Sequence, residues 1–126
     1  MKKKILVADD DPSIVDAIQL MLEMDGYDVF TTSDGEVMGQ TLDHGPDVLL
    51  LDIWMSGYDG REICKLLKND IRTKHIPVIM LSATRDIKAS AKQAGADDYI
   101  AKPFEMADLL EKVKKYANVP LPIGSS

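Results

Sequence analysis

Asp9, Asp10 and Asp11 follow directly on the apolar run Ile5 to Ala8, and Asp52 follows Val48 to Leu51 in the same way. Adjacent carboxylates repel one another, and only Asp11 has an ordinary duty, as the cap of a helix that Pro12 begins. A carboxylate at the mouth of an apolar strand costs desolvation energy unless a cation or hydrogen bonds compensate it. If the first and third strands lie side by side, Asp9, Asp10 and Asp52 converge on one pocket that needs a counter-ion. Hard carboxylate oxygens with no His or Cys beside them suit Mg²⁺, which prefers octahedral oxygen coordination and keeps waters that a phosphate can replace. His44 and His75 stand apart and read as surface or loop residues, so zinc is not expected.

Two further strand ends add a donor and a cation. The run Pro77 to Leu81 leads to Ser82, and Tyr99 to Ala101 leads to Lys102 and Pro103. Ser82 offers a hydroxyl donor, and Lys102 a compact positive charge able to pair with a carboxylate or a phosphoryl oxygen. A lone lysine reads as ordinary solvated surface. Together with the acidic pair and the isolated Asp52 at the same sheet's strand ends, Ser82 and Lys102 make a coincidence that reads as a functional site rather than as solvated surface.

The elements that must position this set are five short apolar runs, Ile5 to Ala8, Tyr27 to Phe30, Val48 to Leu51, Pro77 to Leu81 and Tyr99 to Ala101, alternating with segments of helical period. Ile14, Ile18, Met21 and Leu22 share one helical face, as do Met106, Leu109, Leu110, Val113 and Tyr116. Gly26 fits the end of the first helix. The second is expected over about Gly35 to Leu42, weakened by Gly39 and ended by His44, Gly45 and Pro46. The third should run from about Gly60 to Asn69 and the fourth from about Asp86 to Ala94. Strands this continuously apolar imply a parallel sheet covered by helices on both faces, a doubly wound α/β fold. Ligands of such sheets bind beyond the carboxyl ends of the strands, where strand order reverses.

At 126 residues with 45% hydrophobic content the chain suits a single domain. Its net charge of −6 argues against broad binding to nucleic-acid backbones. The one cysteine, Cys64, cannot form an intramolecular disulfide and reads as a structural thiol inside a helix. The basic start Met1 to Lys4 leads into too short an apolar run for a signal peptide or a membrane span, so a cytoplasmic location is expected. Asn118 to Ser126, with Pro120, Pro122 and Gly124, reads as a flexible tail, a linker start or a cloning scar after a domain of residues 1–117.

From about Lys4 to Tyr116 the chain resembles the response-regulator receiver domains of two-component signalling and is similar to the chemotaxis response regulator. The resemblance rests on ILVADDDPS at 5–13, LLLDIWMSGYDG at 49–60, VIMLSAT at 78–84 and GADDYIAKPF at 95–104. It implies a flavodoxin-like strand order 2-1-3-4-5. It also implies that Asp52 is the phosphoacceptor and that Asp10, Asp52 and the backbone carbonyl of Trp54 contact Mg²⁺ directly, with Asp9 holding the ion through water. Ser82 would hydrogen-bond the phosphoryl group, Lys102 would pair with it, and Tyr99, together with Ser82, would form the switch. A cis peptide is implied before Pro103. The implied partners are a sensor histidine kinase or a phosphotransfer protein and, on the face of the fourth helix, fifth strand and fifth helix, a downstream protein; a dimer formed on phosphorylation is a further route. Nucleic acid and membrane are not expected partners of this domain. The implied role is a Mg²⁺-dependent phosphoacceptor that assists its own phosphorylation and dephosphorylation, and not an enzyme acting on other substrates.

Two residues depart from that family. Ser56 stands where proline is frequent, which loosens the loop after Asp52 without removing a reactive group. Trp54 places a bulky indole beside the acceptor, where an altered dephosphorylation rate is expected. A phosphatase of the haloacid-dehalogenase type also phosphorylates a strand-end Asp, but it places a second Asp two residues later, where this chain has Trp54. A flavodoxin-like electron carrier needs a Ser/Thr/Gly-rich phosphate loop after the first strand, where three aspartates stand instead. No DNA-binding or catalytic module follows Tyr116 in this sequence, so the output is open. Lys88, Lys92, Lys112 and Lys115 read as a solvated helix surface rather than a partner site.

Overall fold

The computed structural model describes residues 2–33, 36–55 and 57–118. The elements run β1 (Lys4–Ala8), α1 (Pro12–Met24), β2 (Asp28–Thr32), α2 (Val37–His44), β3 (Val48–Asp52), β4 (Trp54–Met55), β5 (Tyr58–Asp59), α3 (Gly60–Lys68), β6 (Val78–Ser82), α4 (Ile87–Ala94), β7 (Asp98–Ala101) and α5 (Met106–Ala117). Five strands form one parallel sheet in the order β2-β1-β3-β6-β7. That is the anticipated flavodoxin-like order, with β6 and β7 as the expected fourth and fifth strands. The remaining pair, β4 and β5, makes a two-residue antiparallel ribbon of its own.

Alternation along each strand divides the core in two. Leu6, Ala8, Leu49, Leu51, Val78 and Met80 point to one face, where Val37 of α2, Ile63, Cys64 and Leu67 of α3, and Ile87, Ala91 and Ala94 of α4 close over them. Ile5, Val7, Leu50, Ile79, Leu81 and Ile100 point to the other, under Ile18 and Leu22 of α1 and Leu109, Val113 and Ala117 of α5. The three central strands are covered on both sides, which is why β3 and β6 are buried at every position. Cys64 is a buried thiol, and burial pushes its pKa up to about 11, so it is chemically quiet.

Helix α1 starts as expected, with the Asp11 carboxylate accepting from the N–H groups of Ser13 and Ile14 at 3.0 and 3.4 Å. Helix α2 ends two residues later than the sequence suggests. Its stop is set by Gly45, whose φ of 57° closes the helix in the left-handed conformation, so His44 becomes the last helical residue. There the His44 ring stacks on Phe30 with centroids 3.9 Å apart. The edge strand β2 also runs later than its apolar run, because an edge half open to solvent accepts Thr31 and Thr32. Three expectations, the start of the second helix at Gly35, the loosening effect of Ser56 and the tail after Asn118, fall on residues outside those described. Among the described residues, no helix is long and apolar enough to cross a membrane.

Candidate functional site

The register of the sheet places the chemistry. Ala8 pairs with Leu51, Asp52 with Leu81, and Ser82 with Ala101, so β1, β3, β6 and β7 deliver Asp9, Asp52, Ser82 and Lys102 to one edge of the sheet. Strand order reverses between β1 and β3, and the crevice there is where ligands of doubly wound sheets sit.

Asp9, Asp10 and Asp52 each bring a carboxylate oxygen within 4.8 Å of the others. Asp9 is 1% exposed and Asp52 6%, so these two lie below the surface, with Asp10 half-buried beside them. Lys102 reaches across it, with Nζ 2.8 Å from Asp9 Oδ2 and 3.7 Å from Asp52 Oδ1. Asp9 Oδ1 accepts from the Asp11 N–H at 3.0 Å, so both oxygens of Asp9 are engaged within the protein. Asp52 is held more loosely, by the Trp54 N–H at 3.4 Å. Burial first, and then the negative charge of Asp9, push the Asp52 pKa up to about 6; Lys102 and the Trp54 N–H pull it down, and Asp10 adds to the rise. The Lys102 ammonium therefore does not cancel the combined effect of burial and Asp9 on Asp52. The donors are all oxygen, carry excess negative charge and sit close enough to share one ion, which fits a small hard dication.

The structure also shows how the rim is built. Asp59 caps α3 through the Arg61 N–H at 2.9 Å. Gly60 lies so close to β3 that its N–H donates to the Ile53 carbonyl at 2.6 Å, and a Cβ there would meet the Asp52 carbonyl oxygen and the Ile53 Cα. Ser82 Oγ donates to Thr84 Oγ1 at 2.7 Å and accepts from the Thr84 N–H at 3.0 Å. Sequence reasoning passed over Thr84, although two hydroxyl residues spaced by two after a strand are a local turn signal. The Lys102–Pro103 peptide is cis, as expected.

Tyr99 is half-buried and lies against the α2–α3–α4 side of the core, beside Met80 in the sheet register. Lys112 of α5 holds it from outside, with Nζ 5.4 Å from the ring centroid and 3.1 Å from the Tyr99 carbonyl oxygen. The same ammonium bonds Asp98 Oδ1 at 2.7 Å, while the Tyr116 hydroxyl bonds Asp98 Oδ2 at 3.0 Å. Burial alone would raise the Asp98 pKa; the bonds from Lys112, the Tyr99 N–H and Tyr116 outweigh it and lower the pKa. Lys112, read from sequence as a solvated side chain, is thus a structural contact of Tyr99. Between β7 and α5 opens a groove of about 870 Å³, rimmed by Asp98, Tyr99, Phe104, Glu105 and Glu111. None of Asp9, Asp10 and Asp52 lines it.

Residues 5–114 match the response regulator receiver domain family. Over 115 residues the chain is 43% identical to the DNA-binding dual master transcriptional regulator RpaA of Synechocystis, which covers 88% of this chain but only 47% of that protein. The chain thus spans about half the length of the curated relative it matches. A structure described as a response regulator from Chloroflexus aurantiacus superposes with a TM-score of 0.86 at 36% identity, covering 93% of this chain and 98% of that one. The receiver domain of a sensor histidine kinase from Pseudomonas aeruginosa, solved with a magnesium ion coordinated in its active-site cleft, superposes with a TM-score of 0.83 at 26% identity, covering 94% of this chain and all of the other. With its sheet order, its strand-end carboxylates and these matches, the chain belongs to the response regulator receiver domains of two-component systems.

Proposed function

We propose that residues 1–117 act as a phosphorylation-operated switch in which Asp52 accepts a phosphoryl group from a histidine kinase or phosphotransfer protein. The observation that carries this reading is the convergence of three carboxylates and one ammonium at the carboxyl edge of the sheet, with Asp52 held more loosely than Asp9. The Asp52 carboxylate attacks phosphorus in line, the donor's bond to phosphorus breaks, and an acyl phosphate forms. Lys102 stands close enough to Asp52 Oδ1 to shift its ammonium onto a phosphoryl oxygen, and the Ser82 hydroxyl, now on Thr84, is the donor free to turn toward the same group. Asp10, Asp52 and the Trp54 carbonyl would hold Mg²⁺ directly, and Asp9, with both oxygens occupied, would do so through water. The ion would supply neutralising charge to the transferring group.

A Ser82 hydroxyl drawn toward the phosphoryl group leaves space that Tyr99 fills by turning inward, which changes the α4–β7–α5 face offered to a downstream protein. The groove along β7 and α5 opens on that face. Water ends the signal by hydrolysing the acyl phosphate, so the domain times a state rather than turning over an external substrate. The net charge of −6 favours protein contacts over nucleic acid for this domain, and a cytoplasmic location suits a kinase partner. DNA binding, named for the Synechocystis relative, belongs to a protein about twice as long as the match.

Incubation with acetyl phosphate and Mg²⁺ followed by intact-mass measurement tests the reading. One added phosphoryl group on the wild type and none on Asp52→Asn is expected; equal uptake by both overturns it. The ion gives a second check. Asp52 must lose its proton to bind Mg²⁺ and does so near pH 6. Affinity for Mg²⁺ should therefore fall about tenfold between pH 7 and pH 5, with proton release at the lower pH. Calorimetric titration in buffers of different ionisation enthalpy measures both. A dissociation constant unchanged across that range would remove Asp52 from the ligand set.

A further inference from the structure

Trp54 is the chain's single tryptophan and stands two residues beyond the acceptor, its N–H on Asp52 Oδ1 and the residue 55% exposed. An indole this exposed would ordinarily sample several orientations. Here it does not stand alone. The Arg61 guanidinium lies over the indole ring, 4.7 Å from its centroid. Arg61 is itself fastened by Asp59, with Nε 3.0 and 3.2 Å from the two carboxylate oxygens and Nη2 2.8 Å from Oδ2. Asp59 in turn pairs with Trp54 across the β4–β5 ribbon and caps α3. The contacts form a closed circuit, Trp54 to Arg61 to Asp59 and back to Trp54, built from three elements at the rim of the acceptor pocket.

A planar guanidinium suits both duties, since it can give a fork of donors to a carboxylate while stacking on an aromatic face. Each contact lowers the entropy cost of the next, because the fork fixes the plane that the indole stacks on. The circuit is not needed for the fold: both ends of α3 are capped without the guanidinium, and the ribbon pairs through its backbone.

Building on the acceptor role of Asp52, we propose that Arg61, fastened by Asp59, is a positioning residue that fixes the Trp54 indole as a wall beside the acceptor and so lengthens the life of the phosphoryl group. Loss of that group is attack of a water oxygen on phosphorus. The bond from phosphorus to the Asp52 oxygen breaks, the electron pair returns to the carboxylate, and inorganic phosphate and a proton leave. A fixed indole removes part of the solid angle from which water can approach; a mobile one removes it only for part of the time.

The test is a double-mutant cycle on the half-life of protein phosphorylated by acetyl phosphate and Mg²⁺, after removal of the donor. Trp54→Ala should shorten the half-life most. Arg61→Ala should shorten it about two- to fivefold, the population weight of an exposed cation–π contact, and Arg61→Lys, which keeps a cation but loses the fork, should fall between. In the Trp54→Ala background Arg61→Ala should add nothing. Equal acceleration by Arg61→Ala with and without the indole overturns the proposal, as does an unchanged half-life. Fluorescence gives a second readout that needs no phosphorylation: Arg61→Ala should increase acrylamide quenching of Trp54, and unchanged quenching counts against the circuit. Failure of the acceptor reading itself shows separately, as absence of phosphoryl uptake in the wild type, and the quenching comparison then still decides whether Arg61 fixes the indole.

Discussion

Asp52→Asn is expected to take up no phosphoryl group and yet to melt higher than the wild type at pH 7.5 when divalent ions are chelated. Burial and Asp9 raise the Asp52 pKa to about 6 from an ordinary 3.8. Between those values the folded protein holds a proton that the unfolded chain has released, so stability falls as the pH rises through the window. The contribution is complete below pH 4 and lost above pH 6. A neutral amide avoids that loss. At face value the gap corresponds to about 3 kcal/mol; screening by solvent at the pocket mouth reduces this to about 1–2 kcal/mol, or roughly 3–10 °C for a domain of this size. Calorimetric melts at pH 7.5 and pH 4.0 check it. The advantage of the variant should appear at the first and vanish at the second, and a variant that melts lower at pH 7.5 would sink the electrostatic account. The wild type should recover most of the difference on adding Mg²⁺. A folded, more stable variant that takes up no phosphate also separates loss of the acceptor from loss of the structure.

The stability that Asp52 withholds explains why this site is legible in the amino-acid sequence. An acidic residue ending a run such as Val48 to Leu51 conflicts with burial, and Asp9 and Asp10 repeat the conflict on another strand. Conflicts of that kind mark function because a packed core would otherwise remove them. The sheet is legible for a similar reason: strands buried on both faces have no polar alternation to blur them. Where the burial gradient is shallow the boundaries slip, as at the edge strand β2 and in α2, whose end depends on one left-handed glycine. The ribbon of β4 and β5 is too short for any periodicity to reveal. Arg61 and Lys112 escape sequence reasoning as contacts because a basic residue on a helix is solvated in most folds. What singles them out is a three-dimensional coincidence, an aromatic face and a carboxylate on the same side, at Trp54 and Asp59 for one and at Tyr99 and Asp98 for the other.

Gly60→Ala is expected to destabilise the protein strongly, against the usual sign of such a change. In a helix interior, Gly to Ala stabilises by up to about 1 kcal/mol through helix propensity. Gly60 opens α3 and its backbone angles suit any residue, since it is not among the glycines with positive φ. What forbids a side chain is contact: a Cβ would collide with the Asp52 carbonyl oxygen and lie 2.9 Å from the Ile53 Cα. Both obstacles are backbone, one at the last residue of the strand that carries the acceptor and one at the residue after it, pinned on one side by the bond from Gly60 N to Ile53 O and on the other by the bond from Ile53 N to Leu81 O at 3.0 Å. Neither can turn aside as a flexible side chain would. Relief requires α3 to back away from β3 or the Asp52–Ile53 peptide to rotate, and either movement opens the core around Ile63 and Cys64. The cost should be about 2–4 kcal/mol, read as a fall in the urea midpoint at unchanged slope. Because the displaced peptide belongs to the acceptor, Mg²⁺ affinity and phosphoryl uptake should drop even under conditions where the variant is fully folded. A variant as stable as the wild type would mean that α3 is not held to the acceptor strand by this close approach.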